Sequence, residues 1–183
     1  FEGWERLAVQ QLTIKGSYIS VRNTSSVNAL GDVVKLKISQ SDDCAFLLAD
    51  LVHSTNICPQ VPKELSSQSG TTKPIAIFHC NHRLGEREKG AQQIISSLNK
   101  AGYRVILLPL AYTNREDAVL KRLCVSMKSP DVQYVDRVLS IDETIGLFQQ
   151  CTLYVGLSFH GAISTYCFGG MTVAFDYEER RKT

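Results

Sequence analysis

From Pro74 onward, short apolar runs alternate with longer amphipathic stretches, and no other feature of the sequence constrains the fold as much. Pro74-Ile-Ala-Ile-Phe78 reads as a buried strand and Cys80 to Gly85 as a polar loop. Glu86 to Ala101 reads as a helix, with Ala91, Ile94, Ile95 and Leu98 at helical spacing and Gly102 at its end. Arg104 to Leu108 is the next strand, stopped by Pro109. Arg115 to Met127 is the next helix, with Ala118, Val119 and Leu123 on one side. Val132 to Val135 predicts a strand, and Ile141 to Gln150 a helix started near Ser140 or Asp142. Thr152 to Val155 follows as a strand, Ala162 to Phe168 as a helix closed by Gly169-Gly170, and Met171 to Phe175 as a last strand. Strands separated by helices of this length need crossover connections. The expectation is therefore a single α/β domain over residues 1–183, with a mostly parallel sheet flanked by helices.

The first third is less regular. Glu5 to Leu12 predicts a short helix, Tyr18 to Val21 a strand, and Thr24 or Ser25 the cap of a short helix through Leu30. A further strand is expected within Asp32 to Ile38, and Leu65 to Thr72 reads as a polar, turn-rich connector.

Composition narrows the function classes. A net charge of +2 over 183 residues gives no global attraction for nucleic acid or an anionic membrane, so anion binding has to come from a few placed groups. No apolar run approaches the roughly 20 residues that span a bilayer, so no transmembrane segment is expected. Phe1-Glu-Gly-Trp4 has neither the charged start nor the apolar core of a signal peptide, and the N-terminus reads as processed or cut from a longer chain. The six cysteines are widely spaced and include no C-x-x-C pair, which suits reduced, buried thiols in a cytosolic protein better than a zinc site. No metal and no cofactor is expected.

In an open parallel sheet, ligands bind beyond the carboxyl ends of the strands. Three segments bring polar residues there: Val21-Arg-Asn23, the loop from His79 to Arg83, and Gly156-Leu-Ser-Phe-His-Gly161. In the third, a strand runs into a short turn carrying Ser158 and His160, and Gly161 and Ala162 open a helix whose N–H groups suit a phosphate or carboxylate. A histidine there either contacts the anion or moves a proton, or else it caps the helix and packs on Phe159 and Tyr166. Arg22 offers a guanidinium suited to oxyanions, while the histidines of the His79–Arg83 loop line a cleft or simply sit in a polar loop.

Taken in order, four landmarks resemble the polysaccharide pyruvyl transferase family. They are Ile19-Ser-Val-Arg22 with Ser25 or Ser26 and Leu30 after it; Asp43-Cys-Ala-Phe46 with Leu48; Val155-Gly-Leu-Ser-Phe-His-Gly-Ala-Ile163; and Thr172-Val-Ala-Phe-Asp-Tyr177 followed by basic residues. The resemblance implies a Rossmann-like domain, the C-terminal half of a GT-B-like architecture, with an N-terminal domain expected before Phe1 and absent from this chain. It also implies transfer of pyruvate from phosphoenolpyruvate to two hydroxyls of a glycan as a ketal, in the cytoplasm, with phosphate released. His160 matches the family's active-site histidine and is implied as an acid or phosphate contact. Arg22 matches the arginine of the first landmark and is implied in donor binding. Arg180 stands where relatives commonly have lysine, and Ser158 where they often have arginine. Two other readings stay open: a GT-B glycosyltransferase using a sugar-nucleotide, and a glycan- or phosphate-binding domain without catalysis.

Overall fold

The structure is a computed structural model that describes residues 3–15, 18–31, 33–34, 37–55, 57–63, 73–111 and 115–175. The chain divides into two compact units, Phe1–Phe46 and Leu47–Thr183.

The first unit holds helix α1 (Gly3–Lys15), strand β1 (Ile19–Val21), helix α2 (Thr24–Gly31) and strand β2 (Ile38–Gln40). The strands pair in parallel, Ile19 opposite Ile38 and Val21 opposite Gln40. Two sequence expectations change here. Helix α2 is capped by Asn23 rather than by Thr24 or Ser25: its Oδ1 accepts the Ser26 N–H at 2.8 Å. The strand expected within Asp32 to Ile38 begins only at Ile38, because the Val33 and Val34 N–H groups both fold back onto the Leu30 carbonyl at 2.9 Å. An N–H used to end a helix cannot serve a ladder.

In the second unit, a 3-10 turn (Cys44–Leu47) leads across the boundary into helix α3 (Leu48–Ser54). Strand β3 (Ile75–His79) is buried at all five positions, as a strand covered on both faces must be. After it come a 3-10 turn (His82–Arg87), α4 (Glu88–Lys100), β4 (Arg104–Leu107), α5 (Glu116–Met127) and β5 (Val132–Tyr134). The chain continues through α6 (Ile141–Gln150), β6 (Cys151–Gly156), α7 (Phe159–Cys167) and β7 (Met171–Ala174). The five strands form one sheet in the order β5-β4-β3-β6-β7, and every pair is parallel. The expected connector from Leu65 to Thr72 lies outside the described residues.

Alternation along the strands builds two apolar layers. Phe78, Val105 and Leu107 face one side, where Ile95 of α4 and Leu120 and Leu123 of α5 cover them. Ile77, Ile106 and Tyr154 face the other, under Leu147 and Phe148 of α6. Each fully buried aliphatic or aromatic side chain contributes about 1.5–3 kcal/mol.

Local chemistry sets the ends of the elements. Ser140 caps α6 through a capping box, its Oγ accepting the Glu143 N–H at 3.1 Å while Glu143 accepts the Ser140 N–H at 3.0 Å. Gly102 turns the chain after α4 at φ 91°, a conformation that favours glycine. The helix expected from Glu86 starts at Glu88, because the preceding turn is wound as 3-10. None of the six cysteines forms a disulfide. Cys80 and Cys151 are buried as expected, whereas Cys44 and Cys58 are exposed.

Candidate active site

The order of the strands locates the crevice. The chain leaves β3 toward β4 on one side and leaves β6 toward β7 on the other, so the carboxyl ends of β3 and β6 form a topological switch point. His79 and Gly156 lie opposite each other at those ends. A side chain at Gly156 would put its Cβ 2.8 Å from the His79 carbonyl oxygen and 2.7 Å from the Tyr154 hydroxyl, so only glycine lets the two strand ends close here.

Beyond β6 the helix begins earlier than the sequence implies, at Phe159 rather than Ala162. The reason is Ser158. Its backbone is extended, and its Oγ accepts the Gly161 N–H at 3.2 Å as the cap of α7. The Ser158 N–H in turn donates to the Tyr154 hydroxyl at 3.1 Å. Burial pushes the Tyr154 phenol well above its ordinary pKa, so it stays protonated. The Gly161 N–H, expected to face a ligand, is therefore used inside the helix start. Gly161 itself is buried, and Tyr154 fills the space beside it.

His160 is not the cap. It stands exposed on the first turn of α7 and meets Phe159 edge-on, with ring centroids 6.0 Å apart. His160, Ser158 and Gly161 line a cavity of about 480 Å³ together with His79, Asn81 and Glu116. None of the described lining residues is lysine or arginine.

Glu116 was not singled out by its sequence context. It is the first residue of α5 and is 2% exposed. Its Oε2 accepts the Ala111 N–H at 2.6 Å and the Leu110 N–H at 2.8 Å, and lies 3.1 Å from Nε2 of His79. Burial alone would raise the pKa of this carboxyl. His79 and the two backbone donors outweigh it, and the net shift is downward. Arg115 precedes Glu116 in the left-handed region at φ 52°, an uncommon conformation for a residue with a side chain. Acidic residues in the first turn of a helix were visible in the sequence, but they are common there for dipole reasons and do not by themselves mark a site.

His79 is also buried, at 2% exposure, with its ring 6.5 Å from that of Tyr154. Nδ1 has no hydrogen-bond partner, and Nε2 approaches Glu116 Oε2 at 3.1 Å without hydrogen-bond alignment. Burial pushes the thiol of neighbouring Cys80 up to about 12, with Glu116 adding to the shift.

Arg22 belongs to the first unit and follows β1 directly. Its guanidinium donates to Asp43 Oδ2 at 2.7 Å, which ties the first two sequence landmarks together. Arg180 lies outside the described residues. Of the residues picked out from sequence, the structure thus gathers Ser158, His160 and Gly161 into one cavity with His79 and Asn81 of the His79–Arg83 loop.

Among the described residues, no group of three or more His, Cys, Asp or Glu side chains is arranged to hold a metal ion, and no helix is long and apolar enough to cross a membrane.

Among solved structures, the fold is similar to that of an alpha,alpha-trehalose-phosphate synthase (UDP-forming) from Burkholderia vietnamiensis. The TM-score is 0.50 at 10% identity, over 86% of this chain and 44% of that one. A UDP-forming alpha,alpha-trehalose-phosphate synthase from Burkholderia xenovorans gives a TM-score of 0.44 at 15% identity, over 76% of this chain and 38% of that one. The chain thus spans less than half the length of either protein. The first likeness is one of fold, and it agrees with the Rossmann-like, GT-B-like domain expected from sequence. No curated protein matches the chain. The sequence model of the polysaccharide pyruvyl transferases matches residues 2–179, and with essentially the whole length accounted for, the chain belongs to that family.

Proposed function

We propose that the protein is a pyruvyl transferase of glycan synthesis that acts in the cytoplasm, and that this chain is its C-terminal, Rossmann-like half. Phosphoenolpyruvate is the donor, and a saccharide with two suitably placed hydroxyls is the acceptor. One observation carries the reading: the histidine of the family's distinctive segment, His160, stands exposed on a cavity at the β3–β6 switch point.

The chemistry matches that position. Protonating the methylene carbon of phosphoenolpyruvate makes the adjacent carbon electrophilic, a hydroxyl adds to it, and a second hydroxyl closes the ketal as phosphate departs. His160 is assigned the proton delivered to the methylene. Ser158, whose hydroxyl hydrogen is not used in accepting the Gly161 N–H, is assigned a hydrogen bond to the donor. Gly161 supports that lining by letting α7 start close to Tyr154. Arg22 and Arg180 are assigned to the donor's negative charges. The decisive experiment is phosphate release from phosphoenolpyruvate by the full chain with candidate saccharides, in parent and His160→Ala forms. Unchanged transfer by the variant would remove His160 from this role.

A second reading draws on the likeness to UDP-forming synthases and on the serine at position 158, where an arginine is common in the family. In it the donor is a sugar-nucleotide, and saturation by a nucleotide-sugar but not by phosphoenolpyruvate identifies it.

A further inference from the structure

We propose that His79, oriented by Glu116, is the base that accepts the proton of the acceptor hydroxyl. This inference rests on the pyruvyl-transfer reading and adds to it a residue and a subsite.

Three observations converge. The ionised Glu116 carboxylate accepts from two backbone N–H groups and faces His79 Nε2 at 3.1 Å. Two acceptors that close would repel, so in the neutral ring Nε2 carries the hydrogen. Nδ1 is then left with a lone pair, and it has no partner although the side chain is more than nine-tenths buried. Finally, the ring lines the cavity.

A lone pair calls for a donor. The phosphate and carboxylate oxygens of an anionic ligand have none to give at neutral pH, whereas a sugar hydroxyl does. The lining suits the same guest, since the polar residues Asn81, Thr144 and Ser164 belong to it. Two other titratable groups beside His79, Tyr154 and Cys80, are held protonated by burial and bring no competing charge. The arrangement is that of a base with its orienting carboxylate.

The step balances. As the hydroxyl oxygen forms its bond to the electrophilic carbon, its proton passes to Nδ1, and Glu116 offsets the charge of the imidazolium. Two acceptor hydroxyls lose two protons overall. One ends in the new methyl group and the other leaves with phosphate.

The test uses the full chain with phosphoenolpyruvate and a panel of methyl galactoside, glucoside and mannoside. Glu116→Gln is expected to lower kcat by about 100- to 1,000-fold while phosphoenolpyruvate affinity stays within about twofold. Glu116→Asp, which keeps the carboxylate, is expected to recover part of that loss, and His79→Gln is expected to lower kcat at least as far as Glu116→Gln. A second readout does not depend on a variant folding: in ¹⁵N-histidine spectra of the parent protein, the methyl glycosides alone should shift the Nδ1 resonance of an Nε2–H tautomer. If the parent transfers pyruvate and both the Glu116→Gln and His79→Gln variants keep its kcat, or if the Nδ1 resonance stays fixed, the role of His79 is overturned alone. A parent inert toward every glycoside overturns the pyruvyl-transfer reading along with it.

Discussion

The ring of Tyr154 occupies the place a side chain on Gly161 would need: a Cβ there would lie 2.7 Å from both the ring and its hydroxyl. Tyr154 is fully buried and cannot swing aside. Gly161→Ala should therefore destabilise the fold by about 1–3 kcal/mol through overpacking. Chemical denaturation reads this directly, and an unchanged midpoint would show that α7 moves freely.

His160→Ala should behave in the opposite way. The side chain is exposed and fills no core position, so the melting temperature should stay close to that of the parent. Pyruvyl transfer by the full chain should fall by about 100- to 10,000-fold, the range for loss of a positioned acid. A large drop in both quantities would point to a structural role instead.

Arg22→Ala offers a similar separation. The Arg22–Asp43 pair is largely open to solvent on the arginine side, and exposed pairs contribute only about 0–1 kcal/mol, so stability should barely change. If Arg22 holds the donor, phosphoenolpyruvate binding should weaken by roughly 10- to 150-fold, matching about 1.5–3 kcal/mol for a charge-assisted hydrogen bond. Titration calorimetry with the full chain measures it.

The capping box of α6 predicts a dependence on acid. Hydrogen bonds from Arg137, and then the Ser140 N–H, hold the Glu143 carboxyl down from its ordinary 4.5 to about 2. A carboxyl with a lowered folded pKa stabilises the protein above its unfolded value, and that contribution disappears as pH falls through the folded one. Stability should thus drop between pH 4.5 and about 2 more steeply in the parent than in Glu143→Gln. Urea midpoints across that interval supply the comparison, and parallel curves would sink the claim.

What the sequence reveals depends on how local the cause is. Helix α6 has the bounds expected from sequence, Ile141 to Gln150, and of the two starts left open, Ser140 or Asp142, the cap is Ser140, which pairs with Glu143 three residues on without help from elsewhere. The α7 start was read three residues late because Gly161 and Ala162 look like an opening, while the real cap, Ser158, acts through a single hydrogen bond to Gly161. His160 was legible because it follows a strand in a distinctive segment. The His79–Arg83 loop could be read as lining a cleft or as a plain polar loop, but its partner Glu116 could not be found, since nothing between His79 and Glu116 announces that β3 and α5 bring them to 3.1 Å. That pairing is a product of packing alone. In the first unit, the short β2 was misplaced because the valines before it have the composition of a strand but spend their N–H groups on the end of α2.

The position of β3 at the centre of the sheet also sets a sequence of events in time. As the polypeptide emerges from a ribosome, β3, β4 and β5 are available to pair and to be covered by α4 and α5 before β6 has been made. Closing the distance from Ile75 to Cys151 is the entropically later contact. In chain order, the strands and helices that carry His79 and Glu116 are therefore complete before the segment that carries His160 is made, and β6 is the strand that must cover the remaining edge of β3.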